Sequence, residues 1–434
     1  MGPSIAKRSK VQLITMPIFI GAAVAVIILS YADVKSWDPT GLVTMSAYTS
    51  SSSSPSSLGA VYSWGGDADP SLGRNATLFN LPQPLLGLPP CRAIAAGNHS
   101  VAVDALGGLW AWGRNESLSL RRETRDRRAA TGQLGVRAHQ TPAQQTLLPQ
   151  SEDRPSRVLL PAEERTTLFE SAAVGYAHSL AVAHDGRLLS WGANDFGQLG
   201  RRAVAEGTGE ACESGSGCLD AWPRQVRGLP SVHQAAASRL GSMAVSDAGE
   251  IWVWGVDLCG LSGPEGWPST HREARKTPQD LASASPRRVS IQEDGEDIRF
   301  VQAAAGFVHW VALDEDGGVW TCATGDDGYN GLQAERSGRE NAGWRVPNEA
   351  EELGRIERQL APGRVLGLSA SFVAAGHLSS AAVRTNGDVL VWGCASPHCW
   401  AARRSGTPAP LVVPELGPGS RGGRAARVAL ADWG

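Results

Sequence analysis

Five full and two partial stretches of this 434-residue chain repeat one pattern: a pair of small residues and Gly, an apolar strand, a turn Gly, a second strand, and Trp-Gly five residues after the turn. The register is plainest when the copies are aligned on Trp. Five residues before Trp64, Trp112, Trp191, Trp254 and Trp392 stand Gly59, Gly107, Gly186, Gly249 and Gly387. A sixth copy keeps the turn at Gly317 but carries Cys322-Ala323 where Trp-Gly is expected. Thirteen residues before the Trp slot stand His99, His178 and His309, while Gly241 and Ser379 fill that position in two copies. Upstream lie Ala95-Ala96-Gly97, Ala173-Val174-Gly175, Ala304-Ala305-Gly306 and Ala374-Ala375-Gly376, with a degenerate Ala236-Ala237-Ser238.

Each unit reads as two alternating strands joined by a tight turn: Ser179-Leu180-Ala181-Val182, then Asp185-Gly186, then Leu188-Leu189-Ser190-Trp191. Glycine supplies the positive φ that such a turn needs and that a side chain resists. The Ala-Ala-Gly run predicts a strand packed too closely for large residues, near a crowded axis, with Trp supplying bulk where a wedge widens. Spacings of 79 residues from Trp112 to Trp191 and 63 from Trp191 to Trp254 leave room for four short strands per copy. The expected fold class is therefore all-β, a β-propeller.

The run Ala172-Ala173-Val174-Gly175-Tyr176-Ala177-His178-Ser179-Leu180-Ala181-Val182, continuing to Trp191-Gly192-Ala193-Asn194-Asp195-Phe196-Gly197-Gln198-Leu199-Gly200, resembles the repeat of the regulator of chromosome condensation family. Gly132-Gln133-Leu134-Gly135 echoes the tail of that repeat, displaced by an insertion. The resemblance covers residues 58–434. It implies a propeller of about six to seven blades. Val428-Ala429-Leu430-Ala431-Asp432-Trp433-Gly434 resembles the opening strand of a repeat and Ala60-Val61-Tyr62-Ser63-Trp64-Gly65 its third. Together they predict one mixed blade that closes the ring and hides its edges. Val43-Thr44-Met45-Ser46-Ala47-Tyr48 is the candidate for its missing strand.

Ahead of the repeats, Val11 to Ala32 is almost entirely apolar, interrupted only by Gln12, Thr15, Pro17, Ser30 and Tyr31. At a rise of about 1.5 Å per residue such a helix crosses about 30 Å of hydrocarbon. Lys7, Arg8 and Lys10 precede it, so the positive-inside rule keeps the short tail inside and the propeller on the opposite side. The competing reading is a cleaved secretory signal ending at Ser30-Tyr31-Ala32. The serine run from Ser50 cannot bury a core and reads as a tether. The expected parts are a basic tail (1–10), a transmembrane helix (11–32), a flexible tether (33–57) and the propeller (58–434).

A net charge of −3 gives nucleic-acid binding no global electrostatic support. Of the seven cysteines, Cys212 with Cys218 and Cys394 with Cys399 are close enough in sequence for disulfides in an oxidising compartment. A zinc site at Cys394, His398 and Cys399 lacks a fourth ligand. Asn75-Ala76-Thr77, Asn98-His99-Ser100 and Asn115-Glu116-Ser117 are glycosylation sequons, and at Asn98 a glycan would intrude on a repeat. The Gly417 to Gly422 run spells a dinucleotide fingerprint but does not join a strand to a helix. No catalytic, cofactor or metal constellation emerges, and no small-molecule substrate. The histidines recur in register with core strands and read as structural hydrogen-bonders.

What varies is the connections. Insertions at 116–168, 201–230, 262–298 and 333–368 follow the Trp-Gly strand and are expected on one side of the ring, where repeat scaffolds carry function. The densest basic cluster there is Arg121, Arg122, Arg125, Arg127 and Arg128, a candidate interaction loop; the densest acidic one is Glu349-Ala350-Glu351-Glu352. These features fit a non-enzymatic, membrane-tethered scaffold for protein partners. The alternative is guanine-nucleotide exchange on a Ran-like GTPase, the activity of the family's founding member. The order of parts is also similar to that of fungal family members of the mitochondrial inner membrane associated with assembly of respiratory complex III. The resemblance implies that location, with the endoplasmic reticulum as alternative; the leader departs from the pattern because ten residues precede the span.

Overall fold

The computed structural model describes residues 25–27, 61–63, 83–117, 129–130, 132–136, 151–201, 219–256, 282–306, 309–323, 362–376, 379–393, 407–412 and 427–429. Within them the repeat becomes five antiparallel sheets of four strands, each sheet drawn from one consecutive stretch of chain. Blade 1 is β1 (Cys91–Ala96), β2 (His99–Asp104), β3 (Leu109–Arg114) and β4 (Ser151–Arg157). Blade 2 is β5 (Phe169–Val174), β6 (His178–Ala183), β7 (Leu188–Ala193) and β8 (Leu219–Gln225). Blade 3 is β9 (Val232–Ala237), β10 (Gly241–Ser246), β11 (Ile251–Val256) and β12 (Ala282–Val289). Blade 4 is β13 (Phe300–Ala305), β14 (His309–Asp314), β15 (Gly318–Ala323) and β16 (Gly363–Ser369). Blade 5 is β17 (Phe372–Ala375), β18 (Ser379–Val383), β19 (Val389–Gly393) and β20 (Thr407–Val412).

The second strand of every blade is buried at each residue, as in His178–Ala183. Such a strand is covered by a neighbouring blade on each face, which is why its apolar residues run on instead of alternating. The first strands of successive blades pack side by side, so their Ala pairs are the residues small enough for that approach. Apolar clusters straddle the junctions. Leu134, Val136 and Val158 of blade 1 meet Phe169 and Trp191 of blade 2. Leu188 and Val226 meet Trp254 of blade 3, and Val365 and Leu368 meet Trp392 of blade 5. Each Trp thus fills the wedge between its own blade and the one before.

The turn between second and third strands needs its glycine twice over. Gly186 has φ +79°, and a Cβ there would stand 2.0 Å from Ser231 Oγ of the connector into blade 3. Its carbonyl also accepts a hydrogen bond from Val232 N at 2.9 Å, and Gly107, Gly249 and Gly317 do the same for Phe169, Phe300 and Ala370. The turn therefore ties each blade to the next.

The expected six to seven blades are described as five complete ones plus pieces. Tyr62–Ser63 pairs with Gln83–Pro84 ahead of blade 1, where Val61 and Leu85 pack against Trp112. Arg427–Ala429 lies beside the first two strands of blade 5. These are the two ends from which the closing blade was expected, but most of both ends, with Gly59 and Trp64, lies outside the described residues. So does the segment 11–32, except Ala25–Ile27, a short strand parallel to Arg427–Ala429. Among the described residues no helix is long and apolar enough to cross a membrane.

Candidate interaction surface

The histidines of the repeat are sealed between blades. His99 Nε2 lies 2.7 Å from Ser179 Oγ, which donates to the carbonyl of Gln133 at 2.8 Å. His178 Nε2 lies 2.9 Å from Ser242 Oγ, which donates to the carbonyl of Gln198 at 2.8 Å. Because each serine proton is committed to a carbonyl, the imidazole Nε2 must be the donor, and Nδ1 is left bare and buried. Burial lowers both histidines to about 3, with His178 adding to the effect at His99, so both rings are neutral. A relay of this kind orients blades. It is closed to any substrate. Gly175 belongs to the same device, since a Cβ there would come within 2.2 Å of the His178 ring.

The alternating strand direction sorts the connections onto two faces. Third-to-fourth connections, including every long insertion, leave from the face of the first-to-second turns. Second-to-third turns and the connectors to the next blade share the opposite face. Four of the five exposed large apolar side chains among the described residues, all leucines, sit in the turns and connectors of that second face. Leu106 is 81% exposed in a turn, and Leu86 is 83% exposed in the connector to β1. Leu159 and Leu168 flank the connector to β5, and the fifth, Val301, is the second residue of β13. Leu106 precedes Gly107, beside which Leu168 lies.

Charged groups on this face are mostly paired. His184 Nδ1 lies 2.6 Å from Glu170 and its Nε2 lies 3.0 Å from Arg92. Arg187 bridges the buried Glu164 at 2.9 Å and Asp185 at 2.8 Å, and its hydrogen bond holds the Asp185 carboxyl below the usual range. At the blade edges, Asp104 accepts from Leu106 N, Gly108 N and Trp110 Nε1, and Asp314 repeats the pattern with Asp316, Gly318 and Trp320. This clamp is spelled Asp-x-x-x-Gly-x-Trp in both places, a signal that could have found it but that the sequence reading did not use. The exposed leucines carry no signature of this kind.

Gly107, Gly249, Gly317 and Gly387 share the positive φ of Gly186, and Trp112, Trp191, Trp254 and Trp392 are buried. Asn115 is buried, and the Asn98 side chain turns toward the Tyr176 carbonyl, so neither sequon presents a free amide in the folded chain. The basic loop Arg121, Arg122, Arg125, Arg127 and Arg128, and the cysteines Cys212, Cys218, Cys394 and Cys399, lie outside the described residues. Cys91 is a free, buried thiol pushed up to about 12, first by burial and then by Asp104. Cys322 is disulfide-bonded, a state that neighbour spacing in the sequence did not point to.

Five repeated blades around shared, sealed junctions, with function left to the two faces, define a repeat β-propeller. Models of the regulator of chromosome condensation (RCC1) repeat match residues 185–245 and 169–198, and the chain carries RCC1 repeats. The RCC1 domain-containing protein RUG3, mitochondrial, of Arabidopsis thaliana is 26% identical over 334 residues, covering 66% of this chain and 61% of its own length. The E3 ubiquitin-protein ligase HERC2 of Mus musculus is 27% identical over 281 residues, which is 64% of this chain and 5% of that protein. The chain therefore spans less than two thirds of either relative. Yeast RCC1 (Prp20), in a crystal structure with Kap60 bound, superposes with a TM-score of 0.57 at 20% identity, over 82% of this chain and 70% of that one. At that identity the likeness is one of fold.

Proposed function

We propose that this chain is a non-enzymatic propeller scaffold that binds protein partners while an N-terminal span, Val11 to Ala32, holds it at a membrane. The observation that carries the reading is the gathering of the exposed apolar side chains on the turn face of a propeller whose repeat histidines are buried and neutral. Contiguous exposed apolar groups mark protein contact surfaces, and Leu168 lies beside the Gly107 turn that carries Leu106. A protein of this fold, yeast RCC1 (Prp20), is seen with Kap60 bound, which supports a protein-binding role. The match to HERC2 occupies 5% of that protein, so a ligase activity has no support from it.

The membrane proposed is the mitochondrial inner membrane, and the role is assembly or maintenance of respiratory complex III. The mitochondrial relative RUG3 supports the organelle. The basic tail, single span and Ser-rich tether support the anchoring. The test is a mild-detergent purification of the tagged full-length chain with mass spectrometry of what accompanies it. Complex III subunits or their chaperones are expected; a Ran-like GTPase would replace this reading with nucleotide exchange, and secretory-pathway proteins would move the chain to the endoplasmic reticulum. Deleting residues 1–35 is expected to leave a folded propeller without function, and retained function would remove the tether from the account.

A further inference from the structure

Two exposed histidines stand on the turn face, and they meet opposite chemistry. His184 follows β6, and His233 is the second residue of β9. His233 Nε2 lies 3.2 Å from the Val301 carbonyl and its Nδ1 lies 3.7 Å from Asp247. Both groups are acceptors, so an added proton suits that contact. His184 is placed the other way. Its Nε2 lies 3.0 Å from Arg92 Nη1 of β1, and because a guanidinium can only donate, Nε2 must accept. The ring proton is then on Nδ1, 2.6 Å from Glu170 of β5, and the imidazole is neutral in this arrangement. A second proton has to enter at Nε2, where it meets another donor and a fixed positive charge. The remaining charges of that turn are committed to one another, Arg187 bridging Asp185 and the buried Glu164.

Arg92 also touches the apolar surface. Its Nη2 donates to the Ala105 carbonyl at 2.5 Å, one residue before Leu106. On the other side of the contact, the His184 amide donates to the Leu168 carbonyl at 2.9 Å. The series Ala105, Arg92, His184, Leu168 therefore runs from the blade 1 turn that carries Leu106 to the connector that carries Leu168, and a Cβ on Gly107 of that turn would stand 2.9 Å from Leu168 Cβ.

We propose that Arg92, His184 and Glu170 form an acid-released latch that holds the Leu106 turn against blade 2. While His184 is neutral, the latch keeps Leu106 and Leu168 in one surface. When Nε2 takes a proton from water, Glu170 retains the imidazolium, Arg92 is expelled, and the turn is freed on its blade 2 side. The use of the latch rests on the reading of this face as a protein contact: a partner seated across both leucines is held near neutral pH and let go in acid. The His233 contact has no such release, since acid strengthens it.

The test is hydrogen exchange of the full-length chain in mild detergent at about pH 7.5 and about pH 5.5, with each rate divided by that of the unstructured chain at the same pH. Peptides spanning 104–108 and 184–187 are expected to exchange about fivefold faster in acid, and those spanning 247–250 and 299–301 at the His233 contact are not. His184→Gln should lose the acid step, because its amide accepts from Arg92 and donates to Glu170 at either pH. That variant keeps His99 and His178, so their response to acid cancels from the comparison. Arg92→Ala should exchange at the faster rate at both pH values while 247–250 stays slow, which separates a released latch from an unfolded ring. An absent acid step in the parent, or a step that survives in His184→Gln or Arg92→Ala, overturns the proposal. Because the chain is measured without a partner, that result would leave the leucine surface standing as a contact site.

Discussion

The junction of blades 2 and 3 and that of blades 3 and 4 solve one problem with different chemistry. In the first, His178 donates to Ser242, Ser242 donates to Gln198, and the Trp254 indole donates to that same carbonyl at 2.9 Å. In the second, Gly241, Trp310 and Cys322 occupy the three corresponding slots. The contrast teaches that the slots behave as one unit. A ring in the serine slot removes the acceptor that makes a buried imidazole tolerable, and it brings bulk that the facing slot must give up in a close-packed interior. A single departure would leave an unpaired polar group or an overfilled wedge. Three together leave neither.

The largest expected effect is at the regular junction. Trp254→Ala should cost about 3–5 kcal/mol in denaturant unfolding, because it empties a wedge whose other ring, Trp252, is only partly buried. Trp310→Ala should cost less, since Trp320 packs in the same cluster; an equal loss would show that the two junctions are not built differently. Gly186→Val should cost about 3 kcal/mol, from strain at φ +79° and from the clash with Ser231 across the junction. An unchanged melting temperature would mean that this turn does not tie blade 2 to blade 3. A double-mutant cycle on His178→Ala and Ser242→Ala should give a coupling of about 1–2 kcal/mol, and the same cycle on Gly241→Ala and Trp310→Ala close to none.

Acid should sharpen the comparison further. His99 and His178 are held to about 3 in the folded chain, so below pH 6.5 the unfolded chain binds protons that the folded chain does not. Their contribution is present above the unfolded pKa and is lost as pH falls. Each should take away about 1 kcal/mol between pH 6.5 and 5.5. His178→Gln should flatten the slope of stability against pH by one such share, whereas a substitution at Gly241 with an uncharged residue should leave the slope alone.

Much of this was legible in advance. Counting from Trp located the turn glycines, the second strands and the histidine slot, because a repeat that must stack on copies of itself uses the same residue for the same contact. The departures at Gly241 and Cys322 were visible as degenerate positions, but not as halves of one arrangement. They lie 81 residues apart in the chain and belong to one junction only because neighbouring blades face each other. The cysteines show the limit most clearly. Neighbours in sequence, Cys212 with Cys218 and Cys394 with Cys399, were the natural pairs, while the cysteine seen bonded is one with no near neighbour. The exposed leucines of the turn face were illegible for a related reason, since they come from a turn and two separate connectors.

By itself, then, the amino-acid sequence determined the blade: period, turn glycine, small inner strand and buried Trp are all local consequences of strand pairing and close approach. The tertiary structure decided what lies between blades and on their faces. It chose which serine answers which histidine, which cluster receives Cys322, and on which side the apolar side chains gather. Those choices depend on contacts between residues that the repeat holds 60 or more positions apart, as with His178 and Ser242 at 64. No local pattern carries that information, because it arises only when the wedge between two blades closes and each group left there must find volume or a hydrogen-bond partner.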